Sequence, residues 1–195
     1  MDNKDFLTQR RNRTKQRLRI RLGIMQMINR PLLNILLLPI IVGTVFIWIK
    51  KDIAFMLFNV PQILFPIYKY SILTLAILLP LLFLLAVIEA IGNITAQKDE
   101  GDIKEAFDVQ DLRNGCPILM NKKRIKGSTV IMREFYSSIP FKRWVEKMDD
   151  IADSMNVHFV EKLKYGGKSN GKRIVMYTAQ GRERTSRGEL YDEEL

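Results

Sequence analysis

The sequence has few residues of the kind that carry catalysis or bind a metal, since it contains one cysteine, Cys116, and one histidine, His158. A single cysteine excludes an intramolecular disulfide framework and a cysteine-based zinc site. A catalytic Cys–His pair would need both residues, but Cys116 precedes Pro117 at a predicted loop-to-strand border, and His158 lies on the solvent side of a predicted strand. No nucleophile therefore has an evident base. We predict that the chain is not an enzyme and binds no cofactor and no metal.

Charge is absent from two long stretches, residues 31–49 and 71–88. As a helix rising about 1.5 Å per residue, either stretch covers about 27–28 Å, close to the hydrocarbon thickness of a bilayer. Their prolines, Pro39 and Pro80, are acceptable in membrane helices that pack against a neighbour. Core helices of soluble proteins are usually shorter and carry a polar stripe. The sequence therefore predicts two membrane-spanning helices within residues 31–97.

The distribution of positive charge predicts the orientation of these spans. Residues 1–30 contain nine Lys and Arg side chains and two acids, a net charge of +7. Basic residues next to a span stay on the cytoplasmic side. We predict a hairpin in the cytoplasmic membrane, with both termini cytoplasmic and residues 50–70 as the external connection. Residues 53–68 are also apolar but hold two prolines, so we expect an interfacial segment, and whether it enters the bilayer stays open.

The basic cytoplasmic head, residues 1–30, has two interpretations. We favour an orientation signal that also contacts anionic lipid headgroups, and the alternative is a contact with the phosphates of DNA or RNA. Leu18, Leu22 and Met25 fall on one helical face, but the segment is not cleanly amphipathic, so its pattern does not decide between them. The candidate contact residues are Arg10, Arg11, Arg13, Lys15, Arg17, Arg19 and Arg21.

The remaining residues, 98–195, are nearly balanced in charge, with 19 basic and 17 acidic side chains. Such a balance is not typical of a strongly basic nucleic-acid-binding domain. We predict an acidic linker at 98–116, a small cytoplasmic α/β domain at 117–181 and a charged tail at 182–195. A basic turn at 122–127 offers a second set of candidate contacts with a membrane surface or nucleic acid, namely Lys122, Lys123, Arg124 and Lys126.

Within the α/β domain, the pattern predicts the order β-β-α-β-β. Strands are expected at 117–121, 128–136, 157–164 and 173–179, from their β-branched and aromatic residues and their alternation. One helix lies between the second and third strands, with Ser138 as its cap and Pro140 in its first turn. Residues that recur at helical spacing form its core-facing stripe: Trp144, Met148, Ile151 and Met155.

A glycine-rich turn at 165–172 contains part of a phosphate-loop pattern. Gly166, Gly171 and Lys172 match G-x-x-x-x-G-K, but Arg173 occupies the position of the Ser or Thr that binds Mg²⁺. A strand is predicted to follow, whereas a phosphate loop leads into a helix whose N-terminus holds the phosphates. We expect a hairpin turn.

The same region resembles the segment just before the motor domain of FtsK/SpoIIIE-type DNA translocases carried by Gram-positive mobile elements. In that family a strand ending in FYS leads into IP…W, then a helix ending in LN, a strand and a hairpin. The matching residues here are Phe135, Tyr136, Ser137, Ile139, Pro140, Trp144, Met155 and Asn156. The closing LYDEEL, residues 190–195, is similar to the family's acidic phrase before the ATPase. The resemblance covers residues 117–195 by phrase and the remainder by architecture.

The family's motor, with its phosphate-binding loop and acidic magnesium site, does not occur in this sequence. The resemblance implies a truncated product or a stand-alone membrane subunit that anchors a DNA translocase in conjugative transfer or DNA segregation, without ATPase activity. The partners it implies are the lipid bilayer, duplex DNA, an ATPase motor and further copies of the chain. The alternative is a small membrane adaptor whose cytoplasmic domain binds a protein partner.

Overall fold

The computed structural model describes residues 3–56, 60–167 and 171–181. Its helices there are α1 (Asn3–Asn29), α2 (Leu38–Met56), α3 (Phe65–Ala106), α4 (Phe141–Glu146) and α5 (Met148–Met155). Its strands there are β1 (Ile118–Arg124), β2 (Ile131–Tyr136), β3 (Val157–Phe159), β4 (Lys164–Tyr165) and β5 (Arg173–Gln180). The chain divides into two compact units, residues 1–94 and 95–195. The predicted tail at 182–195 lies outside the described residues.

In the first unit, nearly the whole basic head is one helix, α1. One face of α1 is buried, with Leu18 8% exposed, Leu22 fully covered and Gln26 3% exposed. These three side chains are four residues apart, so they lie above one another on the helix. The head therefore has a fixed packing face, which the charge pattern alone did not show.

Two glycines bring α1 close to α3 within this unit. A Cβ atom at Gly23 would collide with the carbonyl oxygen of Ile88, and a Cβ at Gly92 would collide with the carbonyl oxygen of Arg19. Small residues allow helix backbones to approach in this way. Because the lower-numbered residue of α1 meets the higher-numbered residue of α3, the two helices run antiparallel at the contact.

Two helical segments, Pro31–Ile53 and Phe65–Ala106, are long and apolar enough to cross a membrane. The first begins as a 3-10 turn at Pro31–Leu37 and continues as α2. Within the region predicted as the external connection, 50–70, α2 extends to Met56 and α3 already begins at Phe65. Much of the predicted interfacial segment at 53–68 is thus helical, and residues 57–59 lie outside the described part.

The second unit contains an antiparallel sheet with the order β1-β2-β5-β3, and β4 also pairs with β5. Residues alternate between the two faces of each strand, so Arg133 and Phe135 of β2 share one face while Glu134 lies on the other. A register shift between Leu119 and Asn121 marks a bulge in β1. The fold thus has two long apolar helices and a small antiparallel sheet domain.

The last turns of α3 belong to the core of this sheet unit. Ile103 is fully buried, and Ala106 and Phe107 are 7% and 5% exposed. The predicted acidic linker at 98–116 therefore differs from the structure, since residues 98–106 continue α3. The acidic composition of this segment gave no indication of a helix with one buried face. That face contains Asp99, Ile103 and Ala106.

The order of elements after β2 also differs from the predicted β-β-α-β-β. Lys147 has φ −97° and ψ 15°, outside the helical range, so the predicted single helix is divided into α4 and α5. The predicted strand at 157–164 is divided as well. Four residues, 160–163, lie between Phe159 and Lys164, whereas only two residues of β5 separate their partners Thr178 and Val175.

The stripe predicted for this helix does reach the core. Trp144 and Ile151 are fully buried and Met155 is 6% exposed. The predicted cap, Ser138, differs from the structure, because α4 begins at Phe141 after Pro140 at the N-cap position and has no side-chain cap. Before the helix, Ser137 Oγ accepts a hydrogen bond from the backbone N–H of Ile139 at 3.0 Å. The hydroxyl one residue earlier has the geometry of a serine turn before the helix.

Candidate functional site

The predicted contact residues fall into two separate places. Those of the head lie along α1, and Arg10, Arg13, Lys15, Arg17 and Arg21 are exposed there, whereas Arg11 is half-buried. Arg19 is only 3% exposed and belongs to the packed face. The second set, Lys122, Lys123, Arg124 and Lys126, lies in the sheet unit.

The second set does not form the predicted basic turn. β1 extends to Arg124, so the first three of these residues are in a strand, and Lys126 alone lies in the turn that follows. β1 is longer than predicted because it pairs with β2 as far as Arg124. Lys122 lies opposite Arg133 in this pairing, and Arg124 lies opposite Ile131. The Arg124 Nε atom donates to the carbonyl oxygen of Ser128 at 3.1 Å, and Lys123 and Lys126 are exposed.

Lys122 instead takes part in a buried cluster of charges around Asp99, which we call the Asp99 cluster. The Asp99 carboxylate is 2% exposed and lies 2.8 Å from Lys122 Nζ and 3.2 Å from Arg133 Nε. Arg133 also donates to the hydroxyl of Thr178, which is fully buried. A buried carboxylate needs such partners because the loss of its hydration is costly. The cluster joins the end of α3 to strands β1, β2 and β5.

A cavity of about 190 Å³ adjoins the Asp99 cluster. Besides the cluster, its lining includes Lys98, Asp102, Asn156 and Gln180. Charges of both signs surround it, and Asp99 pairs with the buried Arg133 and the partly exposed Lys122. The arrangement is that of a structural ion network.

Glu100, the neighbour of Asp99, adds a further link between α3 and the sheet. Its carboxylate accepts a hydrogen bond from the backbone N–H of Leu119 at 2.8 Å, and its carbonyl oxygen accepts one from the Cys116 thiol at 3.7 Å. The single cysteine therefore has a structural contact. His158 is half-buried, and its Nδ1 lies 2.8 Å from the carbonyl oxygen of Gly181.

Trp144 is the centre of the aromatic core of the sheet unit. Its ring centroid lies 5.1 Å from that of Phe107 and 5.7 Å from that of Phe135. Its indole N–H donates to Ser137 Oγ at 3.1 Å, so the buried polar atom is satisfied. α5 then ends at Asn156, which adopts the left-handed conformation with φ 50° that asparagine tolerates.

Arg143 of α4 holds a second group of charges at the surface. Its guanidinium forms a two-point contact with Asp111, Nε to Oδ1 at 3.1 Å and Nη2 to Oδ2 at 2.9 Å, and also reaches Glu146 at 2.9 Å. The hydrogen bonds from Arg143 hold the pKa of Asp111 below its ordinary value. The same bonds raise the pKa of Arg143, because each charge stabilises the other.

The glycine-rich turn is followed at once by a strand. β4 pairs with β5, and the Gly166 N–H donates to the carbonyl oxygen of Arg173 at 2.8 Å. Residues 168–170 of the turn lie outside the described part of the chain. Across the described ranges, no three His, Cys, Asp or Glu side chains come together in a group that could hold a metal ion.

The pairing of Asp99 with Arg133 was not predicted from the sequence. Asp99 lies in a run of acidic residues that has the composition of a solvent-exposed linker. Arg133 interrupts the otherwise apolar alternation of β2, and an arginine at an inward position is a usable signal for a buried ion pair. Neither residue showed which partner it has, because the two lie 34 positions apart in the sequence.

No protein-family model matches the chain, and no curated protein matches it. Among solved structures, the pCW3 conjugation coupling protein TcpA, in its monomer form with ATPγS, is similar over 43% of this chain, with 20% sequence identity and a TM-score of 0.37. The similar region covers 24% of the TcpA chain. This likeness is too weak to define the fold or the activity.

Replacing Asp99 with asparagine tests the Asp99 cluster. The variant leaves Arg133 and Lys122 without their anion, and breaking a buried pair in this way costs about 3–5 kcal/mol. The matched control is Asp149→Asn, which removes an exposed carboxylate of α5. We expect a large loss of unfolding free energy in D99N and little change in D149N. Both unfolding free energies are measured by urea unfolding of the detergent-solubilised chain, followed by Trp144 fluorescence. A Trp48→Phe background removes the second tryptophan signal. Equal stability of the two variants would contradict the structural role of the Asp99 cluster.

The Asp111–Arg143 contact predicts a pH dependence of stability. Since the folded pKa of Asp111 lies below its ordinary value of 3.8, its stabilisation is complete above pH 3.8 and is lost as the pH falls through the lowered folded pKa. The stability difference between the natural chain and Asp111→Asn should stay constant from pH 7 to about 5 and shrink below 3.8. Thermal unfolding at several pH values tests this, with D149N as control. A difference that grows on acidification would show the sign to be wrong.

Proposed function

We propose that the chain is a membrane-anchoring and linker module of an FtsK/SpoIIIE-type DNA translocase used in conjugative transfer or DNA segregation. The main support for this proposal is where the structure places the residues that match the family phrase. Phe135, Ser137, Trp144 and Met155 are all buried, and they join β2 to α4 and α5. The phrase therefore identifies residues on which the fold of the small domain depends.

The arrangement in the cytoplasmic membrane is part of the same proposal. α2 and the apolar part of α3 form the hairpin, and the basic α1 and the sheet unit lie on the cytoplasmic side. The strong positive charge of residues 1–30 supports this orientation. α3 supports it further, because the one helix contains the second apolar stretch and the buried residues Asp99 and Ile103 of the sheet unit.

In this role the chain contributes attachment, and ATP hydrolysis belongs to a motor domain or protein. The glycine-rich turn joins two paired strands, which supports this division of labour. In this proposal the sheet unit connects the membrane helices to the motor, and the Asp99 cluster fixes the end of α3 to the sheet. The motor, duplex DNA and further copies of the chain are the proposed partners.

The test combines the gene and the protein. Sequencing the DNA beyond the Leu195 codon should reveal an ATPase with a phosphate loop, either in frame or in a neighbouring gene. The affinity-purified full chain in nanodiscs should not hydrolyse ATP by itself and should retain that ATPase when both are produced together. Disruption of the fold by Trp144→Ala should abolish retention, whereas Val145→Ala, at an exposed position of the same helix, should not. An ATPase absent from the locus, or present and not retained, would favour the adaptor function.

A further inference from the structure

Four arginines of α1 form a single stripe. Arg10, Arg13, Arg17 and Arg21 are spaced by three, four and four residues, so at about 100° per residue they lie within about 80° of one another on the helix. All four are exposed. Within the described ranges no ion pair neutralises any of these guanidinium groups. Four positive charges thus follow one line over about 16 Å of helix.

The stripe lies opposite the packed face of α1. Leu18, Leu22 and Gln26 are buried, and on the helix their mean direction is about 135° from that of the arginines. The glycine contacts with α3 hold that face inward, so the arginines point away from α3. Within the first unit, this orientation leaves the four arginines exposed to a partner.

The direction of α1 argues against a lipid surface as that partner. At the contact, α1 runs antiparallel to α3, and Gly23 lies beside Ile88, the last residue of the apolar stretch. From Gly23 to Arg10 the helix rises about 20 Å away from this level. Headgroups add only about 5–8 Å to each side of the hydrocarbon core, and salt screens charges beyond about 8 Å. The upper half of the stripe therefore lies beyond effective reach of the headgroups.

The apolar face of α1 leads to the same conclusion. A helix that lies in the plane of a membrane buries its apolar face among the lipids, but in α1 Leu18 and Leu22 are covered by protein. A soluble polyanion has no such requirement. Arginine binds phosphate oxygens through its planar, two-pronged guanidinium, and a nucleic-acid backbone offers phosphates in a regular row.

We propose that Arg10, Arg13, Arg17 and Arg21 bind the phosphate backbone of duplex DNA, without selection for sequence. This inference rests on the proposed membrane-anchoring function, since the level of the headgroups is taken from the apolar stretch of α3. It adds to that function a contact that would hold the DNA beside the membrane. It does not depend on the motor, so its test is separate from the retention of an ATPase.

The test compares the full chain with a variant in which the four arginines are changed to glutamine. Both are placed in nanodiscs of zwitterionic phosphatidylcholine, and binding of a fluorescent 30-base-pair duplex is measured from 50 to 200 mM salt. For four phosphate contacts, the slope of log affinity against log salt should become shallower by about 3–4 in the variant. Affinity at 50 mM salt should fall at least about tenfold.

Two further variants make the outcome specific. A change of all four arginines to lysine keeps the charge and should retain most of the salt dependence. The matched control removes four exposed positive charges from the second unit, through Lys104→Gln, Arg113→Gln, Lys142→Gln and Lys162→Gln, and should bind DNA like the natural chain. Equal losses in this control and the stripe variant would mean that net charge alone attracts the DNA, and would overturn the proposal.

A lipid partner is the competing outcome. In the same nanodiscs, the chain is mixed with vesicles of anionic phosphatidylglycerol, and the captured fraction is measured. Capture that depends on the four arginines, with no duplex binding at 50 mM salt, would assign the stripe to lipid and overturn the proposal. Duplex binding that the glutamine variant retains at full strength would overturn it as well.

Discussion

The buried contact between Asp99 and its two cations is the interaction on which the sheet unit depends most. Removing the charges of Asp99 and Arg133 from water is costly, and the cost is offset while they stay paired with each other and with the partly exposed Lys122. The carboxylate comes from α3, whereas the cations come from β1 and β2. Within the second unit, the end of α3 is thus attached to the sheet by a contact whose separation would leave a buried charge without its partner.

The glycine contacts play the corresponding part in the first unit. Gly23 and Gly92 let the backbones of α1 and α3 meet at a distance that any side chain would prevent. This contact gives the basic head a direction and a defined outer face. A flexible arm with the same residues would present its charges to every nearby anion. The close packing of α1 against α3 therefore gives the basic head a defined outer surface.

Much of the architecture could be predicted from the sequence, because it depends on long or strongly patterned segments. The two apolar stretches, the strand over 128–136 and the buried Trp144 and Ile151 belong to this class. The errors lie where a tertiary contact overrides local composition. Residues 98–106 have the composition of a linker, yet Ile103 and the Asp99 cluster hold them in α3. The strand pairing with β2 likewise draws Lys122 and Arg124 out of the predicted turn.

The candidate contacts were harder to predict. The sequence showed seven candidate basic residues in the head but not which of them face outward, since that requires the packed face of α1. Arg19 illustrates the difficulty, because it has the same local composition as Arg17 and Arg21 but is buried. Lys122 likewise appeared to be a surface charge and is instead a partner of Asp99. Only the three-dimensional neighbours separate the structural charges from the accessible ones.

The central proposal is that the basic head and the sheet unit are both on the cytoplasmic side of a two-helix membrane hairpin. Its most direct test is protease digestion of the chain, tagged at both ends, in sealed vesicles of known orientation. In right-side-out vesicles both tags should survive until the membrane is opened with detergent, and in inverted vesicles both should be removed at once. Removal of the C-terminal tag alone from right-side-out vesicles would contradict the account, because it would place the sheet unit outside.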